Sequence, residues 1–342
     1  MAGPSRSAET DGMKRIAVLL ALVLLGGAGG EAATGPVVSM TNGPPPARGL
    51  LVVRGQDTLV VGLDGKVHAR LAGLRPSWFA SGDTARSAAF QQLAAILPGS
   101  VLLSGSAGQW YVFDSRGRLD ALTSPRLRFP GGIQVVARTV PTNDHVFQVD
   151  FTVERAGRVL VPASAELRRI SGNLAVGQST AVDLQTGNRW HLAANCYPAA
   201  TRGSELLMFC GAKLLAVSTD GSRTTLATIP KSLFATSASL SPNGKNVVAM
   251  FSPGCGPSYG FVVPTDGGVA RPLTGEKRWS STAPNSIAFG WTPDNRIVAI
   301  VEPSSKLDTE PQAGVYLIDP TKLTRRLVYP SANPWAMWNF AG

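Results

Sequence analysis

Residues 235–251 read ATSASLSPNGKNVVAMF: an extended segment, a tight turn at Ser241-Pro242-Asn243-Gly244-Lys245, and a second, strongly apolar segment. Pro242 presets φ for the turn, and Asn243-Gly244 completes it, so the two segments pair as neighbouring strands. The phrase returns at residues 287–301, IAFGWTPDNRIVAIV, where Thr292 stands 51 residues after Ser241. Two copies at that separation point to a repeating unit larger than a hairpin.

A second landmark recurs through the chain. Apolar segments alternate around Asp64-Gly65, Asp220-Gly221 and Asp266-Gly267, among the strongest local hairpin signals. Looser versions stand at Ser115-Arg116-Gly117, Gln185-Thr186-Gly187 and Asp319-Pro320-Thr321. The equivalent positions 65, 117, 187, 221, 267 and 321 are spaced 52, 70, 34, 46 and 54 residues, a mean close to 51. A four-stranded propeller blade needs ~40–50 residues. The expected fold is therefore all-β, a single β-propeller of about six four-stranded blades. A seventh is left open because Phe129 to Ala175 fills the long gap with further extended segments.

One helix interrupts the pattern. Asp83 or Thr84 caps it, Ala85, Ala88, Ala89, Leu93, Ile96 and Leu97 give it one face, and Pro98-Gly99 ends it. It falls between the first and second units and is expected to cover a sheet edge. At the other end, Trp335-Ala336-Met337-Trp338 reads as an apolar strand that closes the ring beside an N-terminal strand such as Val37 to Met40.

The phrase of apolar strand, Ser-Pro-Asn-Gly-Lys and apolar strand resembles the WD40-like repeat of TolB-type propellers. The two clear copies cover residues 235–330. The resemblance implies a propeller fold and partners within the cell envelope. It names neither ligand nor activity, since propellers host binding modules and enzymes alike.

Residues 1–32 read as a leader and signal peptide. Met13-Lys14-Arg15 is basic, Ile16 to Leu25 is apolar but short for a bilayer span, and Gly30-Glu31-Ala32 offers small residues to a signal peptidase. Residues 33–49 form a Pro/Gly-rich lead-in, and 50–342 the propeller. The expected protein is exported, secreted or held in the cell envelope, without an integral membrane span once mature, and monomeric. Its formal charge of +10 survives cleavage, because Arg6, Lys14 and Arg15 leave together with Glu9, Asp11 and Glu31. That charge suits an acidic protein or an anionic polymer. The arginines are scattered, with no Lys/Arg run of nucleic-acid type, so no nucleic-acid role is expected.

Within a blade, the a–b and c–d turns open on one face of the disc, and the b–c loops and d–a connections on the other. The first face carries short turns and the second the long loops, where binding residues concentrate. Trp78, Trp279, Cys255, Ser258 and Tyr259 are the candidate contacts there. Cys196, Cys210 and Cys255 map to the same face, and an exported chain meets oxidising conditions. Cys196–Cys210 is the first pairing expected, Cys210–Cys255 the second.

Catalytic motifs are thin. Gly256-Pro257-Ser258-Tyr259-Gly260 matches G-x-S-x-G, but that chemistry needs a strand-to-helix turn, and a strand follows here. His68, His145 and His191 lack a second histidine at ligand spacing, and there is no calcium loop, so neither metal nor cofactor is expected. The sequence thus favours a non-catalytic module binding a protein or envelope ligand through the long-loop face. The alternative is a propeller hydrolase or lyase, which would gather acidic and histidine side chains at the central channel. A glycan-binding lectin would repeat Trp at equivalent places in successive units, and the seven Trp do not.

Overall fold

The computed structural model describes residues 37–43, 45, 48–76, 84–97, 101–106, 108–114, 116–140, 142, 148–164, 167–171, 173–230, 233–254, 258–273, 286–301, 314–330 and 334–339. Blade one contains β1 (Val37–Met40), β2 (Arg48–Arg54), β3 (Asp57–Gly62) and β4 (Val67–Ala72). Blade two contains β5 (Leu74–Pro76), helix α1 (Ala85–Ile96), β6 (Leu102–Gly105), β7 (Trp110–Phe113) and β8 (Leu119–Ala121). Blade three is β9 (Arg126–Phe129), β10 (Ile133–Val140), β11 (Gln148–Arg155) and β12 (Arg158–Ser164). Blade four is β13 (Arg169–Ser171), β14 (Leu174–Val176), β15 (Thr180–Asp183) and β16 (Arg189–His191). Blade five is β17 (Cys196–Arg202), β18 (Glu205–Cys210), β19 (Lys213–Val217) and β20 (Arg223–Thr228). Blade six is β21 (Phe234–Leu240), β22 (Asn246–Ser252), β23 (Tyr259–Pro264) and β24 (Arg271–Pro272). Blade seven is β25 (Ser286–Trp291), β26 (Ile297–Val301), β27 (Gly314–Ile318) and β28 (Arg325–Tyr329), and β29 (Pro334–Asn339) returns to blade one.

The described strands form seven antiparallel sheets, and blades two to seven are simple meanders. β17 packs on β21, β21 on β25 and β25 on β29, so the first strand of each meander lies innermost. Blade one has the order β1-β4-β3-β2-β29. The C-terminal strand therefore supplies its inner strand and joins the two ends of the ring. Here the structure corrects one expectation: β29 pairs with β2, Leu50 opposite Met337 and Leu51 opposite Ala336, and not with Val37–Met40. β1 instead lies on the far edge of the same sheet, beside β4. The physical reason is burial. Leu50, Leu51 and Val52 are buried and need cover on both sides, while Ser39 and Met40 are exposed and suit an outer edge.

The chain is a seven-bladed β-propeller. Its third blade fills the long gap between Gly117 and Gly187, where its outer hairpin turns at Ala156-Gly157 with φ of 48° and 80°. Two successive positive φ values are the signature of a two-residue hairpin turn, and glycine accepts the second without strain.

Central strands are sandwiched between neighbouring blades, which is why they read as unbroken apolar runs. Val247 to Phe251 in β22 and Phe261 to Val263 in β23 are all at most 4% exposed. Phe209 meets Phe251 edge-on at 5.2 Å between ring centroids, and Phe251 meets Phe261 at 5.3 Å, tying blade five to blade six. Outer strands face water and lose the pattern, as in β20, where Arg223, Thr224 and Thr225 are exposed.

Arginine side chains form a second kind of tie between blades. Arg75 of blade two donates to the Gly55 carbonyl of blade one at 2.6 Å. Arg271 of blade six donates to the Pro320 and Thr321 carbonyls of blade seven at 2.6 and 2.9 Å. Part of the positive charge is thus matched to backbone carbonyl dipoles rather than to carboxylates.

Helix α1 is capped as expected by Thr84, whose hydroxyl accepts from the Ser87 amide at 3.1 Å. It is inserted inside blade two, between β5 and β6, because the short inner strand precedes it. It is also more than a surface cover. Phe90 is fully buried and stacks on Trp110 at 5.0 Å, and the helix packs on β10 and β11. With it the a–b face carries one long insertion, so that face is not uniformly made of short turns.

Candidate functional site: an arginine-bearing channel mouth

The central channel of a propeller is bounded by its inner strands, so their composition decides its chemistry. The seven read LRP, RLRF, RIS, CYPAATR, FATSASL, SIAFGW and PWAMWN. Together they carry Arg75, Arg126, Arg128, Arg169 and Arg202, with no Asp, Glu, His or Lys. Two of the five are used by the fold. Arg75 holds Gly55, and Arg202 pairs with Glu205 at 2.8 Å while reaching the Thr265 carbonyl at 3.4 Å.

The other three concentrate on blades three and four. Arg126 and Arg128 are exposed along β9. Arg169 opens β13, donates to the Tyr197 hydroxyl and lies 5.9 Å from the centroid of that ring. Burial pushes the Arg169 guanidinium below the usual arginine range, and its Nε has no hydrogen-bond partner among the described residues. Arg169 has no carboxylate ion-paired with it among the described residues, and a desolvated cation so placed leaves unspent attraction for an incoming anion.

All inner strands begin on the face of the b–c and d–a connections, so their first residues share one mouth of the channel. Arg126 (blade three), Arg169 (blade four), Cys196-Tyr197 (blade five) and Phe234 (blade six) occupy those places. Phe234 is 66% exposed, a large apolar side chain left in water at the start of its inner strand. Cys196 and Cys210 are directly opposite in β17 and β18 and form a disulfide with a Cα–Cα distance of 4.3 Å. This is the pairing expected first. It pins the strand end that carries Tyr197.

Among the candidate contacts read from sequence, Trp78, Trp279 and Cys255 lie outside the described residues. Ser258 is half-buried just before β23. Tyr259 opens that strand, 4% exposed, and packs into the core shared by blades five and six. The two described histidines, His68 and His191, stand on β4 and β16 of blades one and four, whereas Ser258 belongs to blade six. His68 Nε2 lies 3.5 Å from Asp64 Oδ1. Among the described residues no group of three or more His, Cys, Asp or Glu is placed to hold a metal, and no helix is long and apolar enough to cross a membrane. Sequence reasoning missed the channel arginines. Strands of three or four residues such as RIS and RLRF carry no apolar run to announce them.

No family model matches the chain, and no curated protein matches it. Among solved structures it is similar to TolB from Acinetobacter baumannii, with 12% identity over 70% of this chain and 62% of that one and a TM-score of 0.37. It is also similar to Hsv2p of Kluyveromyces lactis, with 9% identity, 89% and 98% coverage and a TM-score of 0.39. A prolyl endopeptidase structure matches at 12% identity, covering 94% of this chain and 41% of that one, with a TM-score of 0.31. The chain spans less than two thirds of the length of the Acinetobacter TolB. The propeller assignment rests on the seven meanders and the β29–β2 closure.

Proposed function

We propose that this chain is an exported, non-catalytic binding module that takes a protein or envelope ligand carrying negative charge at the long-loop mouth of the channel. The observation that carries the reading is the inner-strand composition, five arginines with no acidic or histidine side chain. A hydrolase or lyase at the channel would need a general acid or base there. Export is supported by the basic–apolar–small leader of residues 1–32 and by the disulfide, which belongs to an oxidising compartment.

The test is calorimetric titration of residues 33–342 with poly-glutamate at low and high salt, beside the double variant Arg126→Glu/Arg128→Glu. The expected result is binding by wild type that weakens steeply with salt and is lost in the variant. No binding at low salt, or equal binding by the variant, refutes the reading.

A further inference from the structure

A second concentration of arginine lies on the opposite face, in a cleft of about 200 Å³ between blades three and four. Arg155, Arg158 and Arg189 reach it, with Val159, Leu160 and Val182 as its apolar wall. We infer that this cleft is a binding site for a phosphate monoester, the three guanidiniums taking the phosphate and the aliphatic wall its organic tail.

Arg155 and Arg158 end β11 and begin β12, and the register sets them directly opposite each other. Like charges in that position are destabilising unless something lies between or beside them. No carboxylate forms an ion pair with any of the three among the described residues. Arg155 and Arg189 are held in place from two sides. Arg155 donates to the Leu184 carbonyl and, at 2.8 Å, to the Gln185 carbonyl of blade four. Arg189 of blade four donates back to the Leu160 carbonyl of blade three at 2.7 Å. The Arg158 side chain is exposed and forms no ion pair among the described residues. Among the described residues, two of the cations are held by carbonyls and the Arg158 side chain is exposed, a preorganised cradle with a third arm able to close.

Thr186, also at the cleft, accepts from the Asn188 amide at 3.2 Å and keeps its hydroxyl proton to donate. The nearest buried carboxylate, Asp183, is 2% exposed and already occupied by the Gln185 and Thr186 amides at 2.7 and 3.2 Å and by Asn173 at 3.1 Å. It forms no ion pair with the three arginines among the described residues. Guanidinium forks match the oxygens of phosphate, and a doubly charged group answers three cations better than a carboxylate does. The apolar wall, with Val159 48% exposed, favours an ester over the bare ion.

Calorimetry with glycerol 3-phosphate, inorganic phosphate and acetate tests this on wild type, Arg158→Ala, Arg158→Lys and an exposed control, Arg223→Ala. The expected order is glycerol 3-phosphate tighter than inorganic phosphate, with acetate unbound. Arg158→Ala should weaken the ester about tenfold or more, Arg158→Lys less, and Arg223→Ala should match wild type. Arg158→Ala should also melt no lower than wild type in phosphate-free buffer, since it relieves a like-charge pair. Absence of phosphate binding by wild type, equal binding by Arg158→Ala, or a variant that melts lower without ligand overturns the proposal. The Arg126→Glu/Arg128→Glu protein should keep this binding, which separates it from the channel-mouth reading.

Discussion

Removing the Cys196–Cys210 bridge by the double substitution Cys196→Ser/Cys210→Ser tests how much the channel mouth depends on it. The bridge closes a loop with a sequence separation of 14. Loop-closure entropy for about 15 residues is about 10 cal/mol/K, so the bridge stabilises by about 3 kcal/mol at 25 °C. At about 2.1 cal/mol/K of unfolding entropy per residue, that corresponds to about 4–5 °C in melting temperature for a chain this long. The bridge acts by restricting the unfolded ensemble, so its removal should also steepen the denaturant dependence, because the unfolded chain expands. Calorimetric melts and urea titrations of wild type, reduced wild type and the variant measure both quantities. Reduced wild type and the variant should coincide. An unchanged melting temperature under reduction would refute the loop argument. A fall twice as large would show that the bridge holds the native β17–β18 pair itself, and with it Tyr197 against Arg169.

Two further outcomes follow from burial and charge. Phe90→Ala empties a fully buried site stacked on Trp110 and should cost about 3–5 kcal/mol by urea titration; a loss under about 1 kcal/mol would return α1 to the role of a surface cover. Acid should destabilise the protein through its turn carboxylates. The amides of Lys322 and then Thr321 hold Asp319 below the usual carboxylate range, and the Ser222 amide and then its hydroxyl do the same for Asp220. A folded-state pKa below the unfolded value of about 3.9 gives stability that is present above that pH and lost as pH falls through the folded value. Melting temperature should therefore hold from pH 7 to about 5 and fall below about 4. Asp220→Asn/Asp319→Asn should flatten the acid limb, and an equally steep fall in that variant would exclude these turns as its source.

Legibility in the sequence follows burial. The b and c strands lie between blades and are apolar on both faces, so Val247 to Phe251 and Ile297 to Ile300 announce themselves. The tight turns are equally visible, since backbone geometry restricts which residues serve there. Blade three was harder to count because its outer hairpin turns at Arg155-Ala156-Gly157-Arg158 instead of Asp-Gly. Inner strands such as β5, β9 and β13, three or four residues long, have neither an apolar run nor a turn of their own to mark them.

By itself the sequence determined the all-β repeat, the meander within each unit, the leader pattern and the first choice of disulfide partner. Each of these depends on residues close together in the chain or on a simple period. Only the tertiary structure decided that seven blades close the ring, that β29 rather than β1 joins β2, and that α1 wedges into the core. It alone also gathered Arg126, Arg128 and Arg169 onto inner strands and set Arg155, Arg158 and Arg189 around one cleft. Those groupings join side chains from different blades, and no local pattern records which strand ends will meet across a ring. A scattered set of arginines reads as a merely basic surface until the fold brings its members together.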